Sequence, residues 1–124
     1  MIGLLIGLAL SSVKPYPPGI PSSVIEIYEE KESKTYVGDY ELTAYIATGN
    51  PCADGVMPTV GYTVASNDPK LWHKYIEIEG YGIYYVHDTG GMATNVIDIF
   101  MGSYDEAIQF GRRSAKVYVK EGDD

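Results

Sequence analysis

The stretch from residue 83 to residue 101 constrains the fold more than any other part of the chain. Two runs rich in β-branched and aromatic residues, 83–86 and 96–100, flank a segment that begins Asp88-Thr89-Gly90-Gly91. Such residues suit a pleated, half-buried surface, and the glycine pair permits unusual backbone conformations, so the pattern predicts two strands joined by a turn. The second strand carries Asp98 between apolar neighbours. Because a carboxylate is rarely buried without partners, Asp98 must serve either the structure or a reaction.

The chain of 124 residues is short enough for one domain. Residues 1–12 begin with a wholly apolar run. It is too short to cross a bilayer, which takes about 20 residues, but it suits the apolar part of a secretory signal. Residues 13–35 are rich in proline and then in charge, which is typical of a linker or stem, with a short edge strand at 24–34 as the alternative. We therefore expect an exported or wall-associated protein whose domain covers 36–122, although a buried N-terminal strand is an alternative for the first segment.

Alternating apolar and polar residues predict short strands throughout that domain. In the stretch 38–49, Tyr40 and Leu42 would face one side, and Thr43 and Tyr45 the other. Further strands are predicted at 62–65, 75–79, 83–86, 96–100 and 115–121. A meander of six short strands exposes fewest edges when it closes, so we expect a small closed or nearly closed barrel.

One helix is predicted, from residue 103 to residue 112. Ser103 is a suitable N-cap with Glu106 as its capping-box partner, and Gly111 is a suitable end. The apolar stripe of this helix would consist of Ala107, Ile108 and Phe110. The expected fold is therefore mainly β with one short helix.

The formal net charge of −8 excludes nucleic acid and anionic lipid as natural partners, because both require clustered lysine and arginine. Twelve tyrosines against two phenylalanines favour a polar ligand such as a sugar, although tyrosine is also a good strand residue. The single cysteine, Cys52, rules out an internal disulfide and has no activating neighbour in sequence. His73 and His87 lack partners at metal-ligand spacing, so neither a metal nor a cofactor is expected.

Three aspartates, Asp68, Asp88 and Asp98, each lie beside a predicted strand. They accompany a series of short segments: Thr43-Ala44-Tyr45, Thr63-Val64-Ala65, Tyr75-Ile76-Glu77, Gly80-Tyr81-Gly82, Asp88-Thr89-Gly90-Gly91, Ile97-Asp98-Ile99-Phe100, Ala107, Phe110-Gly111-Arg112-Arg113 and Val117-Tyr118-Val119. In this order the segments resemble the 3D (three-aspartate) domain family. That family is related to the catalytic domain of MltA-type lytic transglycosylases and to stationary-phase survival proteins of Gram-positive bacteria.

The resemblance implies a double-psi β-barrel that cleaves the β-1,4 bond between MurNAc and GlcNAc in peptidoglycan without water. One carboxylic acid would act as acid and then as base, leaving a 1,6-anhydro-MurNAc end. By position this acid falls on Asp98, with Asp88 and Asp68 as its electrostatic supports. Nearby like charges and burial would raise the pKa of Asp98. The alternative for each aspartate is structural: a turn residue at 68 and 88, and a strand residue bonded to backbone amides at 98.

The predicted substrate-binding residues are Tyr45, Asp54, Thr89, Gly90 and Gly91, with the loop 48–59 as one wall of the groove. The sequence departs from the family's pattern at three places: Met92-Ala93-Thr94-Asn95 lacks a lysine, Cys52-Ala53-Asp54-Gly55 gains a carboxylate, and Leu71-Trp72-His73-Lys74 replaces an Ile-Pro-Leu-Gly-Thr stretch. We hypothesise that Asp54 lies at the groove rim, where its negative charge either raises the pKa of Asp98 further or marks an altered choice of ligand. Trp72 is the best candidate for an exposed ring that stacks on a sugar.

These observations predict a monomeric lytic transglycosylase that acts on peptidoglycan glycan strands. A glycan-binding or wall-loosening module on the same barrel is the main alternative. An accessory structural protein of a phage or secretion apparatus is a third.

Overall fold

The structure, a computed structural model, describes residues 18–24 and 33–121, and the barrel domain lies in the second range. Its elements are β1 (Lys34–Tyr45), β2 (Thr63–Ser66), β3 (Tyr75–Ile78), β4 (Gly82–Asp88), β5 (Val96–Phe100), α1 (Tyr104–Phe110) and β6 (Arg113–Lys120). A single 3₁₀ turn, Pro69–Leu71, connects β2 to β3. Over residues 33–121 the fold is therefore mainly β with one short helix, as predicted.

The strands form a closed barrel in the order β1, β5, β2, β4, β3, β6, with β6 pairing again with β1. The pairs β1 with β5 and β2 with β4 are parallel, and the other pairs are antiparallel. The predicted closed barrel of six strands is confirmed. The expectation of a simple meander is wrong, because only β3 and β4 are neighbours both in sequence and in space within the described barrel. Alternation in the sequence predicts strands but carries no information on which strands pair.

The core lies inside this barrel and takes one side chain in two from its strands. On β1, Tyr40 and Leu42 are buried, as the alternation predicts, while Thr43 and Tyr45 are only half-buried. On β5, Ile97 and Ile99 are buried on either side of a half-buried residue 98. On these two strands the pleat therefore sends the core residues inward and places Thr43, Tyr45 and Asp98 on the opposite face.

The first strand begins two residues before the predicted domain boundary at 36 and ends at Tyr45, earlier than the predicted 49. Its extra residues are held by β6, since Lys34 pairs with Lys120. The register shifts between Tyr36 and Gly38, and Gly38 has a φ of 138°, a value that favours glycine. The predicted signal-like segment 1–12 lies outside the described residues, as does most of the predicted stem.

The helix matches its prediction closely. The Ser103 hydroxyl accepts a hydrogen bond from the Glu106 amide at 3.2 Å, and Gly111 ends the helix with a φ of 65°. The predicted apolar stripe is wrong at Ile108, which is 60% exposed, whereas Phe110 is buried. Among the described helices, none is long and apolar enough to cross a membrane.

Candidate functional site

A groove of about 340 Å³ opens where the end of β1, the loop after it, β5 and the turn after β4 meet. It is lined by Tyr45, Ile46, Ala47, Thr48, Asn50, Pro51, Pro58, Ala65, Asp88, Thr89, Gly90, Gly91, Met92, Asp98 and Phe100. The structure thus brings together six of the eight predicted site residues. Part of the loop 48–59 forms one wall, where the sequence analysis placed it.

Asp98 reaches this groove because β5 lies between β1 and β2. Its register partners are Thr43 on β1 and Ala65 on β2. Since its neighbours in sequence point into the core, its own side chain points to the groove face and is half-buried there. The Thr43 hydroxyl donates to Oδ1 of Asp98 at 2.9 Å. The carboxyl group is therefore neither enclosed in the apolar core nor out in bulk solvent.

The surroundings of Asp98 raise the pKa of its carboxyl group above the ordinary value. Burial is the largest cause, and the negative charge of Asp88 adds to it, while the hydrogen bond from Thr43 opposes both. Asp98 consequently holds its proton to a higher pH than an exposed aspartate does.

Asp88 ends β4 and is held by three donors. Its Oδ2 accepts from the Tyr45 hydroxyl at 2.9 Å, and its Oδ1 accepts from the amides of Ala53 at 3.0 Å and Thr89 at 2.9 Å. These donors come from β1, from the 48–59 loop and from the turn itself. Asp88 therefore fixes the shape of the groove as well as supplying a negative charge beside Asp98.

Tyr45 is the donor that β1 contributes to Asp88. Burial, followed by the hydrogen bond to Asp88, raises its pKa, so the hydroxyl keeps its proton. Its ring meets Phe100 edge to face, with centroids 5.3 Å apart. Because Thr43 and Tyr45 are two residues apart, one face of β1 holds both groove aspartates.

Asp68 does not lie in this groove. It caps the 3₁₀ turn, where its Oδ1 accepts from the Lys70 amide at 3.0 Å and its Oδ2 accepts from the Tyr40 hydroxyl at 2.5 Å. Burial alone would raise its pKa, but the hydrogen bonds from Tyr40 and Lys70 and the Lys70 ammonium at 3.7 Å lower it overall. The position gives Asp68 a structural task, and the predicted support of Asp98 comes from burial and Asp88 instead.

Asp54 also lies away from the groove lining. Its carboxylate accepts from the Val56 amide at 3.0 Å and pairs with Nδ1 of His87 at 3.1 Å and Nε2 of His73 at 3.5 Å. Burial opposes these contacts, but together they lower its pKa. The hypothesis that Asp54 sits at the rim and acts on Asp98 does not fit this geometry, because Asp54 pairs with two imidazoles and the pKa of Asp98 is set by burial, Thr43 and Asp88.

The contacts of His87 continue into the barrel. Its Nε2 lies 2.8 Å from the hydroxyl of Thr63, so Thr63, His87 and Asp54 form a line that looks like a nucleophilic relay. Thr63 is fully buried, however, and its hydroxyl already accepts from the Thr59 amide at 2.9 Å. The line is therefore a buried polar connection that ties the 48–59 loop to the barrel.

Two further ideas from the sequence concern Cys52 and metals. Cys52 is buried, and burial together with the charges of Asp88 and Asp54 raises its pKa to about 11, so its thiol is protonated near neutral pH. Within residues 18–24 and 33–121, no three histidine, cysteine or acidic side chains are placed to hold a metal ion.

Asn67 is a site residue that the sequence analysis missed. Its Nδ2 donates to the carbonyl oxygens of Gly90 and Met92, each at 2.7 Å, and its Oδ1 accepts from the Gly90 amide at 3.2 Å. Three bonds from one side chain hold the glycine turn that forms the groove edge. The sequence shows Asn67 only as part of a turn, and nothing local connects it to a loop more than twenty residues away.

In comparisons with known proteins, no protein-family model and no curated protein matches this sequence. The assignment of a function therefore depends on the groove with its two aspartates and on the resemblance of the short segments named in the sequence analysis.

Proposed function

We propose that this protein is a lytic transglycosylase that cleaves the MurNAc-GlcNAc bond of peptidoglycan, with Asp98 as its acid and base. The observation that carries the proposal is a half-buried carboxyl group of raised pKa in a groove, beside a second carboxylate. A raised pKa favours the protonated form of the carboxyl group, which is the form that a general acid requires. The resemblance to the 3D domain family supplies the substrate class.

In the proposed reaction, Asp98 gives its proton to the glycosidic oxygen while the bond from that oxygen to C1 of MurNAc breaks. The Asp98 carboxylate then takes the proton of the C6 hydroxyl of the same sugar, and O6 bonds to C1. The products are a GlcNAc hydroxyl and a 1,6-anhydro-MurNAc end, and Asp98 regains its proton. Because the nucleophile is tethered to the reacting sugar, the reaction gains an intramolecular advantage.

The hydrogen bonds that Asp88 accepts favour the anhydro reaction over hydrolysis. Retaining and inverting glycosidases use two carboxyl groups, one of them as a nucleophile or as a base for water. Both oxygens of Asp88 accept hydrogen bonds from the protein. One carboxyl group that exchanges protons is enough for the anhydro reaction, in which Asp98 has this role and Asp88 stabilises positive charge that develops at C1.

Digestion of purified sacculi followed by mass spectrometry tests the proposal. We expect anhydro-MurNAc ends from the native protein, far fewer from Asp98→Asn in the same time, and normal release from Asp105→Asn. Asp105 is a matched control, because it is an exposed aspartate in the first turn of α1 outside the groove lining. Reducing ends in place of anhydro ends, or equal activity of Asp98→Asn, would contradict the proposal.

A glycan-binding module is the second candidate, and one observation favours it. Among the described residues that line the groove there is no lysine or arginine to hold an anionic part of the substrate. This agrees with the missing lysine after the glycine turn. Glycan that is bound but uncut by the native protein would support this candidate.

A further inference from the structure

We propose that Trp72 forms a second sugar-binding position, which takes a pyranose ring of the same glycan strand in a hollow adjoining the Asp98 groove. This inference rests on the proposed function for its substrate class. It adds a residue that stands where the sequence departs from the 3D pattern, so the resemblance does not imply it.

The hollow and the groove have Thr89 as a common lining residue. The hollow has a volume of about 510 Å³ and is lined by Ser66, Asn67, Asp68, Pro69, Trp72 and Thr89. Thr89 also lines the groove that contains Asp98. A chain of sugars that leaves the groove over Thr89 therefore reaches Trp72 next.

The indole of Trp72 is fixed in place before any ligand arrives. It packs against the hydrophobic core and stacks on the His73 imidazole, with ring centroids 4.3 Å apart and planes 21° apart. His73 in turn stacks on Tyr85, with centroids 5.8 Å apart and planes 6° apart. A ring held in this way loses little conformational freedom on binding.

The backbone of His73 explains how the stack is maintained. His73 has a φ of 58°, a left-handed conformation that residues other than glycine rarely adopt. Its amide donates to the carbonyl oxygen of Val86 at 2.8 Å, and its Nε2 lies 3.5 Å from Asp54. The turn is thus tied to β4 and to the 48–59 loop, and both ties keep the imidazole beneath the indole.

The chemistry of the hollow fits a neutral sugar. A pyranose ring has a face of C–H groups, which packs on an aromatic ring, and an edge of hydroxyl groups, which needs polar partners. Trp72 supplies the ring, and Thr89 supplies a hydroxyl at the junction with the groove. The lowered pKa of Asp68 keeps a negative charge beside the hollow. That charge disfavours a MurNAc ring, whose lactyl carboxylate is free once the peptide is removed, so the occupant is the uncharged GlcNAc ring of the strand.

The chain offers a direct assay, because Trp72 is its single tryptophan. Glycan strands of graded length, freed of their peptides by an amidase, are titrated into the full-length Asp98→Asn protein, which binds without turnover. We expect the tryptophan emission to change and to saturate with long strands, and to change little with the disaccharide. Saturable binding of long strands measured by calorimetry without any change in emission would overturn the proposal.

Substitution gives an independent readout by calorimetry in the same Asp98→Asn background. We expect Trp72→Ala to weaken binding of long strands by roughly 2- to 10-fold, more than it weakens binding of the disaccharide, and Trp72→Tyr to restore most of the affinity. Tyr104→Ala is the matched control, since Tyr104 is 65% exposed on α1 and lines neither cavity. Equal affinity of Trp72→Ala and the parent for long strands would contradict the inference.

The two proposals fail separately. Anhydro-MurNAc ends without a change in tryptophan emission would support the lyase activity and contradict sugar binding at Trp72. A change in tryptophan emission without anhydro ends would support sugar binding at Trp72 and contradict the lyase activity. Because Trp72 packs against the core, the Trp72→Tyr variant and the emission of the unsubstituted ring decide the matter if Trp72→Ala unfolds.

Discussion

Asp98 and Asp68 are both partly or fully removed from bulk water in the same barrel, yet the pKa values of their carboxyl groups are shifted in opposite directions. Asp98 has one hydroxyl donor and a negative neighbour, and its pKa rises. Asp68 is also buried, but two hydrogen-bond donors and an ammonium group face it, and its pKa falls. The difference shows that the partners of a buried carboxyl group, rather than burial alone, decide whether it becomes a proton donor or a structural anion.

The largest expected effect is on the rate of the reaction when Asp98 is replaced. If Asp98 is the acid and base, Asp98→Asn lowers the rate of anhydro-MurNAc formation by about 10²- to 10⁴-fold, because proton transfer from a positioned side chain contributes that much. The measurement is the single-turnover rate on sacculi at neutral pH, with Asp105→Asn as the control. A rate within a factor of about two of the native rate would assign the acid elsewhere.

The next effect concerns Tyr40, the donor to Asp68. Tyr40→Phe leaves a buried carboxylate without its hydroxyl partner, and we expect a loss of about 1.5–3 kcal/mol in the free energy of unfolding at neutral pH. Since the folded pKa of Asp68 is lowered, this stability is present above the unfolded pKa and is lost as the pH falls through the folded pKa. Denaturant titrations at neutral and at acid pH measure both parts.

An exposed tyrosine–aspartate pair provides the control for the Tyr40→Phe measurement. Tyr36 donates to Asp39 at 2.6 Å, so the same two residue types meet again at the surface. We expect Tyr36→Phe to change the stability little at any pH, because water replaces the lost donor. Equal losses from Tyr36→Phe and Tyr40→Phe would mean that burial of the Asp68 pair has no energetic role.

A smaller effect appears in the stability of Asp98→Asn. Because the folded pKa of Asp98 is raised, the folded state binds more protons than the unfolded state at pH values above 3.8, and native stability falls as the pH rises through the folded pKa. The variant lacks this loss, so its melting temperature should exceed the native value at neutral pH. The two curves should converge below pH 3.8, and a constant offset at all pH values would contradict the raised pKa.

The contrast between the two aspartates also marks the limit of what the sequence predicts. The bounds of β5, the cap at Ser103 and the outward faces of Thr43 and Tyr45 follow from patterns of a few residues, and all are present in the structure. The partner of Asp68 is Tyr40, which stands 28 residues away on a strand that the sequence cannot place beside it. Asp54 was misplaced for the same reason, because its histidine partners meet it only through the closed barrel.

The smallest expected effects are on the pH dependence of activity, in which substitutions of Thr43 and Asp54 should give different results. Thr43→Val removes the hydrogen bond that lowers the pKa of Asp98, so the alkaline limb of the pH profile should move to higher pH. Asp54→Ser should leave that limb where it is, because the charge of Asp54 pairs with His73 and His87. The measurement is the initial rate of release of anhydro ends across pH, with folding of both variants checked by circular dichroism. A shift with Asp54→Ser but not with Thr43→Val would reverse the roles that the geometry gives these two residues.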